Sequence, residues 1–410
     1  MKVHLWSMYY DPVPMGIGPV ASMLARQLSE RGNDVTVIAS HPHYPSAEWG
    51  TSYRPRRRLR DGIDVIELPV YTRRAEGWQR MLCELSYGAG QTAAALAPFK
   101  ADVVVVALPS LMAVPGAAVY SRIHRVPWVA WLHDIVSSAA SATGLLDEGP
   151  ALKMVRRLEQ FAFRDADRVI TISQSFSRQL LEAGVPSEKV EKIYGGTSLQ
   201  LGARRTSQPE SRSVLVIGNI GLTQNLAEFA RAFQRSPALR EVDAELRVTG
   251  DGVAAGEVRA VAANGHVEML GVVPFSRLVS ELDDARIAIV SQHPDVRDFN
   301  LPSKITTYMA RGVPVFAVVN PDTEGAEIVR ESGAGWVADS SDLDGACELL
   351  AEALGDAPAL SAASDAGLRF AAEHFEAGAV ASTFEESLAE LVARGRTDRR
   401  RSGSPDLRPR

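Results

Sequence analysis

The stretch FNLPSKITTYMA at 299–310 puts a lysine in the first turn of what reads as a helix, just ahead of the strand-like PVFAVV. A helix N-terminus carries unpaired main-chain N–H groups and the positive end of the helix dipole, so it favours anions. Lys304 is therefore either a solvated surface residue or a second cationic group aimed, with the helix amides, at an anionic ligand. Upstream, His133 closes the strand-like PWVAWLH beside Asp134. A single histidine is commonly structural, but the carboxyl end of a strand is also where α/β proteins present their chemistry. Gly16 and Gly18, in SMYYDPVPMGIGPVASML, lie between the first strand and the first helix. There they serve either a simple turn or a close approach of backbone to ligand.

The same placement recurs in the second half. VLVIGNIGLTQN sets Gly218, Asn219 and Gly221 after an apolar run, VTGDG supplies Gly250 and Asp251, and LGVVP supplies Val273. LPSK brings Leu301, Ser303 and Lys304, and NPDTEGAEIV begins a helix at Glu324. Small residues and main-chain amides at such points form concavities of anion size. Five successive strand ends of this kind are more than packing alone requires.

Short β-branched runs alternating with amphipathic segments must position these residues, which is the signature of parallel α/β domains. The strand-like runs are 2–7, 34–40, 64–70, 102–108, 127–133, 168–173 and 190–196, then 213–219, 244–250, 267–273, 287–292, 314–319 and 335–339. VASMLARQLSERG between the first two has helical apolar spacing and a closing glycine. LGARRTSQPESR at 201–212 lacks apolar periodicity and reads as a linker. Two doubly wound domains in tandem follow, with ligands expected at strand carboxyl ends in a cleft between them.

Composition narrows the function. The chain has 410 residues, 46% hydrophobic, and a net charge of -6, which gives no general attraction to nucleic acid. Two distant cysteines, Cys83 and Cys347, make neither a disulfide framework nor a zinc site and fit a reducing cytoplasm. MKVHLWSMYY lacks the apolar core of a signal peptide, and no run approaches the ~20 apolar residues of a membrane span. The first loop is not GxGxxG and no acidic residue ends the second strand, which disfavours a dinucleotide oxidoreductase. GxSxG, HExxH and Walker A motifs are absent.

Over residues 1–394 the order and spacing of GIGPVASMLARQLSERGNDVTVI, RDADRVITISQSF, VIGNIGLTQNL, VTGDG, LPSKITTYMARGVPVFAV and TEGAEIVRESGAGW resemble the retaining GT-B glycosyltransferases of family 4 (glycosyltransferase group 1). The likeness is greatest to the colanic-acid, capsule and O-antigen subgroup. It implies two Rossmann-like domains facing a cleft: an acceptor-binding domain at 1–205 and a nucleotide-sugar domain at 206–375. It further implies a helix at 376–394 packing back on the first domain, before a basic tail at 395–410 expected to lack fixed structure. The implied reaction moves a sugar from a nucleotide-diphosphate donor, expected to be a UDP-sugar, with retention of configuration and without metal or cofactor. Gly16 and Gly18 would approach the donor, His133 the transferred sugar, Glu324 the sugar hydroxyls and Lys304 the diphosphate.

Departures from the family pattern accompany the likeness. Many relatives hold the diphosphate with an Arg and a Lys where this chain has Asn219 and Gln224. Many carry two glutamates eight positions apart where this chain has Phe299, next to Asp298, and Thr307. A threonine offers one hydroxyl where a carboxylate accepts several bonds. A lipid-linked or small-molecule acceptor is implied. GWQRMLCELSYGAG at 77–90, near the basic YRPRRRLR, reads either as a peripheral contact with the inner face of an anionic membrane or as a core helix beside a basic loop. The missing charged pair and glutamate keep open a second function, a catalytically inactive GT-B partner that regulates an active transferase. A sugar epimerase is a further reading within the same architecture, and a phosphorylase is disfavoured by chain length.

Overall fold

The computed structural model describes residues 1–13, 16–43, 54–72, 77–96, 100–137, 149–196, 209–263, 265–296 and 303–402. Contacts divide the chain into two units, Met1–Ser198 with Ala377–Arg410, and Leu199–Glu376. Each is built on its own sheet.

The first unit holds strands β1 (Lys2–Trp6), β2 (Asp34–Ser40), β3 (Arg56–Arg60), β4 (Ile63–Leu68), β5 (Val103–Leu108), β6 (Trp128–Leu132), β7 (Arg168–Thr171) and β8 (Val190–Lys192). Their spatial order is β3-β4-β2-β1-β5-β6-β7-β8. Every pairing is parallel except β3 with β4. All of β5, VVVVAL, is buried, as expected of a strand covered on both faces. Helices α1 (Gly18–Glu30), α2 (Gly77–Ala94), α3 (Val114–His124), α4 (Pro150–Asp165) and α5 (Gln174–Glu182) make the connections. From β1 the chain steps one way to β2 and the other way to β5, β6 and β7. Right-handed crossovers therefore put α1 on one face and α2, α3 and α4 on the other. Two separate cores reflect this, one around Leu24 and Leu28 and one around Tyr87, Tyr120 and Phe163.

The basic run at 56–60 has no apolar alternation to signal a strand, yet it forms the antiparallel edge β3. Its arginines find carboxylates on the neighbour: Arg57 Nε donates to both oxygens of Asp64, at 2.7 and 2.9 Å, and Arg60 pairs with buried Glu67. Charge pairing replaces apolar burial here, and a cationic edge resists pairing with other sheets.

The second unit holds β9 (Ser213–Ile217), β10 (Glu245–Thr249), β11 (Val267–Gly271), β12 (Ile287–Ser291), β13 (Val315–Val319) and β14 (Gly335–Asp339), all parallel, in the order β11-β10-β9-β12-β13-β14. Its helices are α6 (Leu226–Arg235), α7 (Pro237–Glu241), α8 (Ala255–Ala262), α9 (Phe275–Asp284), α10 (Ser303–Arg311), α11 (Glu324–Ser332), α12 (Leu343–Gly355) and α13 (Ala357–His374). The winding direction reverses between β9 and β12, the switch point at which such sheets open a ligand crevice.

Helix α14 (Ala377–Ser402) belongs to the first unit. Val380, Ala381, Phe384, Leu388 and Leu391 recur at helical spacing and enter the α1 core. Arg168, buried, clamps the helix by donating to Ser387 O at 2.9 Å and Oγ at 2.7 Å and to Glu390 at 3.1 Å. Past residue 394 the basic run continues the helix to Ser402. Arginine is a good helix former, and the breaking sequence SGSP comes only at 402–405.

Candidate functional site

At the switch point of the second unit the loop after β9 meets the loop after β10. Gly218 N donates to Thr249 O at 2.9 Å and Ile220 N to Asp251 O at 3.0 Å, so the two strand ends are laced together. Gly250, at φ +130°, has its missing side chain pointed at Gly218, where a Cβ would lie 1.8 Å from the carbonyl oxygen. No residue but glycine fits that conformation and that approach. The third loop amide, Gly221 N, donates to Gln224 Oε1 at 2.6 Å and closes the short turn Leu222–Gln224. Ser291 Oγ, at the end of β12, donates to Gln224 O at 2.7 Å. Among the described residues the amide of Asn219 donates to nothing, and both Gly218 and Asn219 are exposed.

Lys304 completes this loop. It stands in the first turn of α10, and its Nζ donates to Asn219 O at 3.2 Å, while a Cβ on Gly218 would lie 3.3 Å from its Cε. Burial of the amine lowers its pKa to about 8. The ammonium has three protons and this bond uses one, so two of its donors are left for a ligand. Tyr308, one turn on, fixes the helix. Its buried hydroxyl accepts from Ile217 N at 3.1 Å and donates to Ile289 O at 3.3 Å, pinning α10 to β9 and β12 on the two sides of the switch point. The sequence shows Tyr308 only as an aromatic four residues after Lys304, and that spacing is the signal that they share a helix face.

Other expected donor-site residues lie at the same sheet edge. Thr307 is buried in α10, one turn beyond Lys304. Glu324 is buried and is the first residue of α11, where the helix dipole favours its charge. Asp251 is exposed, and its carboxylate, paired with Arg259 at 3.0 Å and bonded by Gly252 N, is held below its usual range. Val273 is half-buried just beyond β11. Ser303 opens α10, while Asp298 and Leu301 lie outside the described residues. Gln224 holds the loop closed through its side-chain oxygen.

In the first unit, His133 follows β6, with its backbone N donating to Leu108 O at 3.4 Å. Its Nε2 is buried with no partner among the described residues. Desolvation holds the ring neutral, with a pKa lowered to about 3. A Cβ on Gly195 would lie 3.6 Å from the imidazole Cε1, so the loop after β8 lines the ring. Asp134 is half-buried, and burial raises its pKa. Gly16 lies in the β1–α1 connection, and Gly18, expected between strand and helix, is the first residue of α1. A Cβ on Gly18 would stand 2.7 Å from Val13 O, so the tight approach of this loop needs glycine there. Neither glycine is in described contact with His133, whose strand is separated from β1 by β5. Among the described residues no three His, Cys, Asp or Glu side chains converge in a way that holds a metal ion. None of the described helices is long and apolar enough to cross a membrane.

Residues 15–196 match the family model "Glycosyl transferase 4-like domain" and residues 211–356 the model "Glycosyl transferases group 1". The chain is 24% identical over 335 residues to WcaI of Escherichia coli K12, described as a colanic acid biosynthesis glycosyl transferase, covering 76% of this chain and 82% of the relative. It is 24% identical to the glycosyltransferase WbjE of Pseudomonas aeruginosa over 56% of this chain and 62% of that protein. Among solved structures, Anabaena HepE in complex with UDP and glucose matches 95% of this chain and 100% of its own, with a TM-score of 0.64 at 15% identity. The two domain models in tandem, the two parallel sheets and this structural likeness assign the chain to the group 1, family 4 glycosyltransferases of the GT-B fold.

Proposed function

We propose that this glycosyltransferase moves a sugar, with retention of configuration and without a metal, from a UDP-sugar to a lipid-linked or small-molecule acceptor in the building of a cell-surface glycan or a glycosylated metabolite. The observation that carries this reading is the Lys304–Asn219 bond at the switch point of the second unit. An ammonium and a main-chain amide, fixed on a helix start and a glycine loop, meet the charge that grows on a departing diphosphate. HepE, of the same fold, was solved with UDP and with UDP-glucose, which supports uridine as the base.

In the reaction, the bond between the anomeric carbon and the β-phosphate oxygen breaks. The two electrons leave with the diphosphate, which Lys304 and the Asn219 amide stabilise. The acceptor hydroxyl attacks the same face, and its proton passes to the departing phosphate oxygen, so no protein nucleophile is needed. Glu324 receives hydroxyls of the sugar, and His133, neutral with an unpartnered Nε2, accepts a hydrogen bond from another. Gly16 and Gly18 let the β1–α1 loop approach the donor. Gly218, Gly221, Gly250, Asp251, Gln224 and Val273 shape the donor loop, and Ser303 and Thr307 line the start of α10.

Exposed Met81, Leu82 and Leu85 on α2, with Leu96 beyond it, support peripheral docking on a membrane. Exposed Met154 and Phe161 on α4, interleaved with Lys153, Arg157 and Arg164, give that helix an apolar face with a basic fringe suited to anionic lipid.

A thermal-shift screen with UDP, GDP, dTDP and ADP in the presence of a chelator tests the donor reading. Saturating UDP at about 100 Kd is expected to stabilise by ~2.7 kcal/mol. Failure of all four to shift the folded protein contradicts it and favours a regulatory, non-catalytic role. An α-linked product from an α-linked donor, read by NMR, tests retention.

A further inference from the structure

Among the described residues no hydrogen bond holds the His133 ring, and its Nε2 is buried without a partner. It is held by aromatic rings in series. Its imidazole stands edge-on to Trp131, with ring centroids 4.4 Å apart and planes at 74°. Trp131 in turn stands edge-on to Phe384, at 5.3 Å and 72°. Trp131 and Phe384 are fully buried, and Phe384 belongs to α14, about two hundred and fifty residues later in the chain.

The geometry explains why the ring sits where it does. Residues 131 and 133 project to the same side of the β6 line, the side that α14 covers. Edge-to-face contacts fix relative orientation as well as distance and contribute about 0.5–1.5 kcal/mol per pair beyond area burial. The opposite end of the stack is anchored in turn, because α14 is clamped by Arg168 and by Arg31, which donates to Glu385 at 2.6 Å and Ser382 at 3.0 Å. Trp131 Nε1, like His133 Nε2, is buried without a partner among the described residues. The indole therefore acts here through its shape and not through its N–H.

We infer that Trp131 and Phe384 are positioning residues for His133: they transmit the placement of α14 to the imidazole, fix its plane and exclude water from it. The role given to His133 rests on the glycosyltransferase reading above, but its mounting does not. Charged and titratable groups on the elements around the ring include Asp134, adjacent in the chain, and Lys192 and Tyr194, close in sequence to Gly195, which bond each other at 2.9 Å. On α14 they are Glu385 and Glu390, each engaged by an arginine. Burial alone accounts for the neutrality of the ring.

The test is NMR titration of the histidine ring nitrogens in the full chain, with the His133 signal assigned by its loss in His133→Asn. Wild-type His133 is expected to stay neutral from pH 8 to pH 5. In Phe384→Ala the ring is expected to titrate within that window, while Phe384→Leu, which refills the space with apolar volume, restores the neutral ring. Should Phe384→Ala fail to fold, Phe384→Val and Trp131→Phe are read the same way. Where transfer is measurable, Phe384→Ala is expected to lower kcat roughly tenfold at acid pH with donor KM unchanged. An ordinary titration of wild-type His133 near pH 6.5, or a ring unmoved in all the folded variants, overturns the inference. Absence of transfer by the wild type with every donor contradicts the enzymatic reading and leaves the titration result standing.

Discussion

The ammonium of Lys304 donates to the main-chain oxygen of Asn219 across 3.2 Å, tying the start of α10 to the loop after β9 where the sheet changes direction. A cation at a helix N-terminus is unfavourable on its own. The carbonyl oxygen of the glycine loop offsets part of that repulsion and holds the amine against the loop. The awkward placement thus has a physical explanation in the loop it touches.

Proton linkage follows from the depressed pKa of Lys304. In the free protein the amine is charged below about pH 8 and loses its charge as pH rises through that value. Nucleotide-diphosphate affinity is expected to fall above pH 8, and binding at pH 8–9 is expected to take up a proton. Calorimetry in buffers of different ionisation enthalpy measures that uptake directly, and Lys304→Met should abolish it.

Gly250→Ala is expected to lose both stability and nucleotide binding. Its Cβ would meet Gly218 O at 1.8 Å in a conformation reserved for glycine, so the loop must move. A loss of 1–3 kcal/mol or more is the order expected for such strain, read as a lower urea midpoint. Unchanged stability would mean that the two loops are not held as described.

Tyr308→Phe removes a buried hydroxyl that bonds Ile217 N and Ile289 O. The expected loss is about 1–3 kcal/mol, because a main-chain amide is left unsatisfied. Donor affinity should fall as well, since α10 loses its pin to the switch point.

The strands that bring these residues together were legible because their apolar runs are nearly continuous, as in VVVVAL of β5 and SVLVI of β9. Edge strand β3 was not, because RRRLR is satisfied by Asp64 and Glu67 across the strand, a pairing that has no local period. The loop after β9 was legible as glycines at a strand end. The use of Gln224 to close the turn was not, since a side chain's partner depends on tertiary placement. The Phe384–Trp131–His133 stack joins Trp131 of β6 and His133 just beyond it to a helix far along the chain, and nothing in either stretch announces the other.

Glutamates on the exposed face of α2 test the membrane reading. Leu82→Glu with Leu85→Glu is expected to reduce co-sedimentation with phosphatidylglycerol vesicles several-fold and to leave UDP binding intact. Both side chains are solvent-exposed, so the fold should tolerate the change. Equal vesicle binding by wild type and variant would remove this face from the account.

The most direct test of the central claim is calorimetric comparison of UDP with UMP on wild-type protein and on Lys304→Met at pH 7. The account predicts that wild type binds UDP at least tenfold more tightly than UMP, and that the difference collapses in the variant while its fold persists. Equal preference for UDP in both proteins would contradict the assignment of the diphosphate to Lys304 and the Asn219 loop.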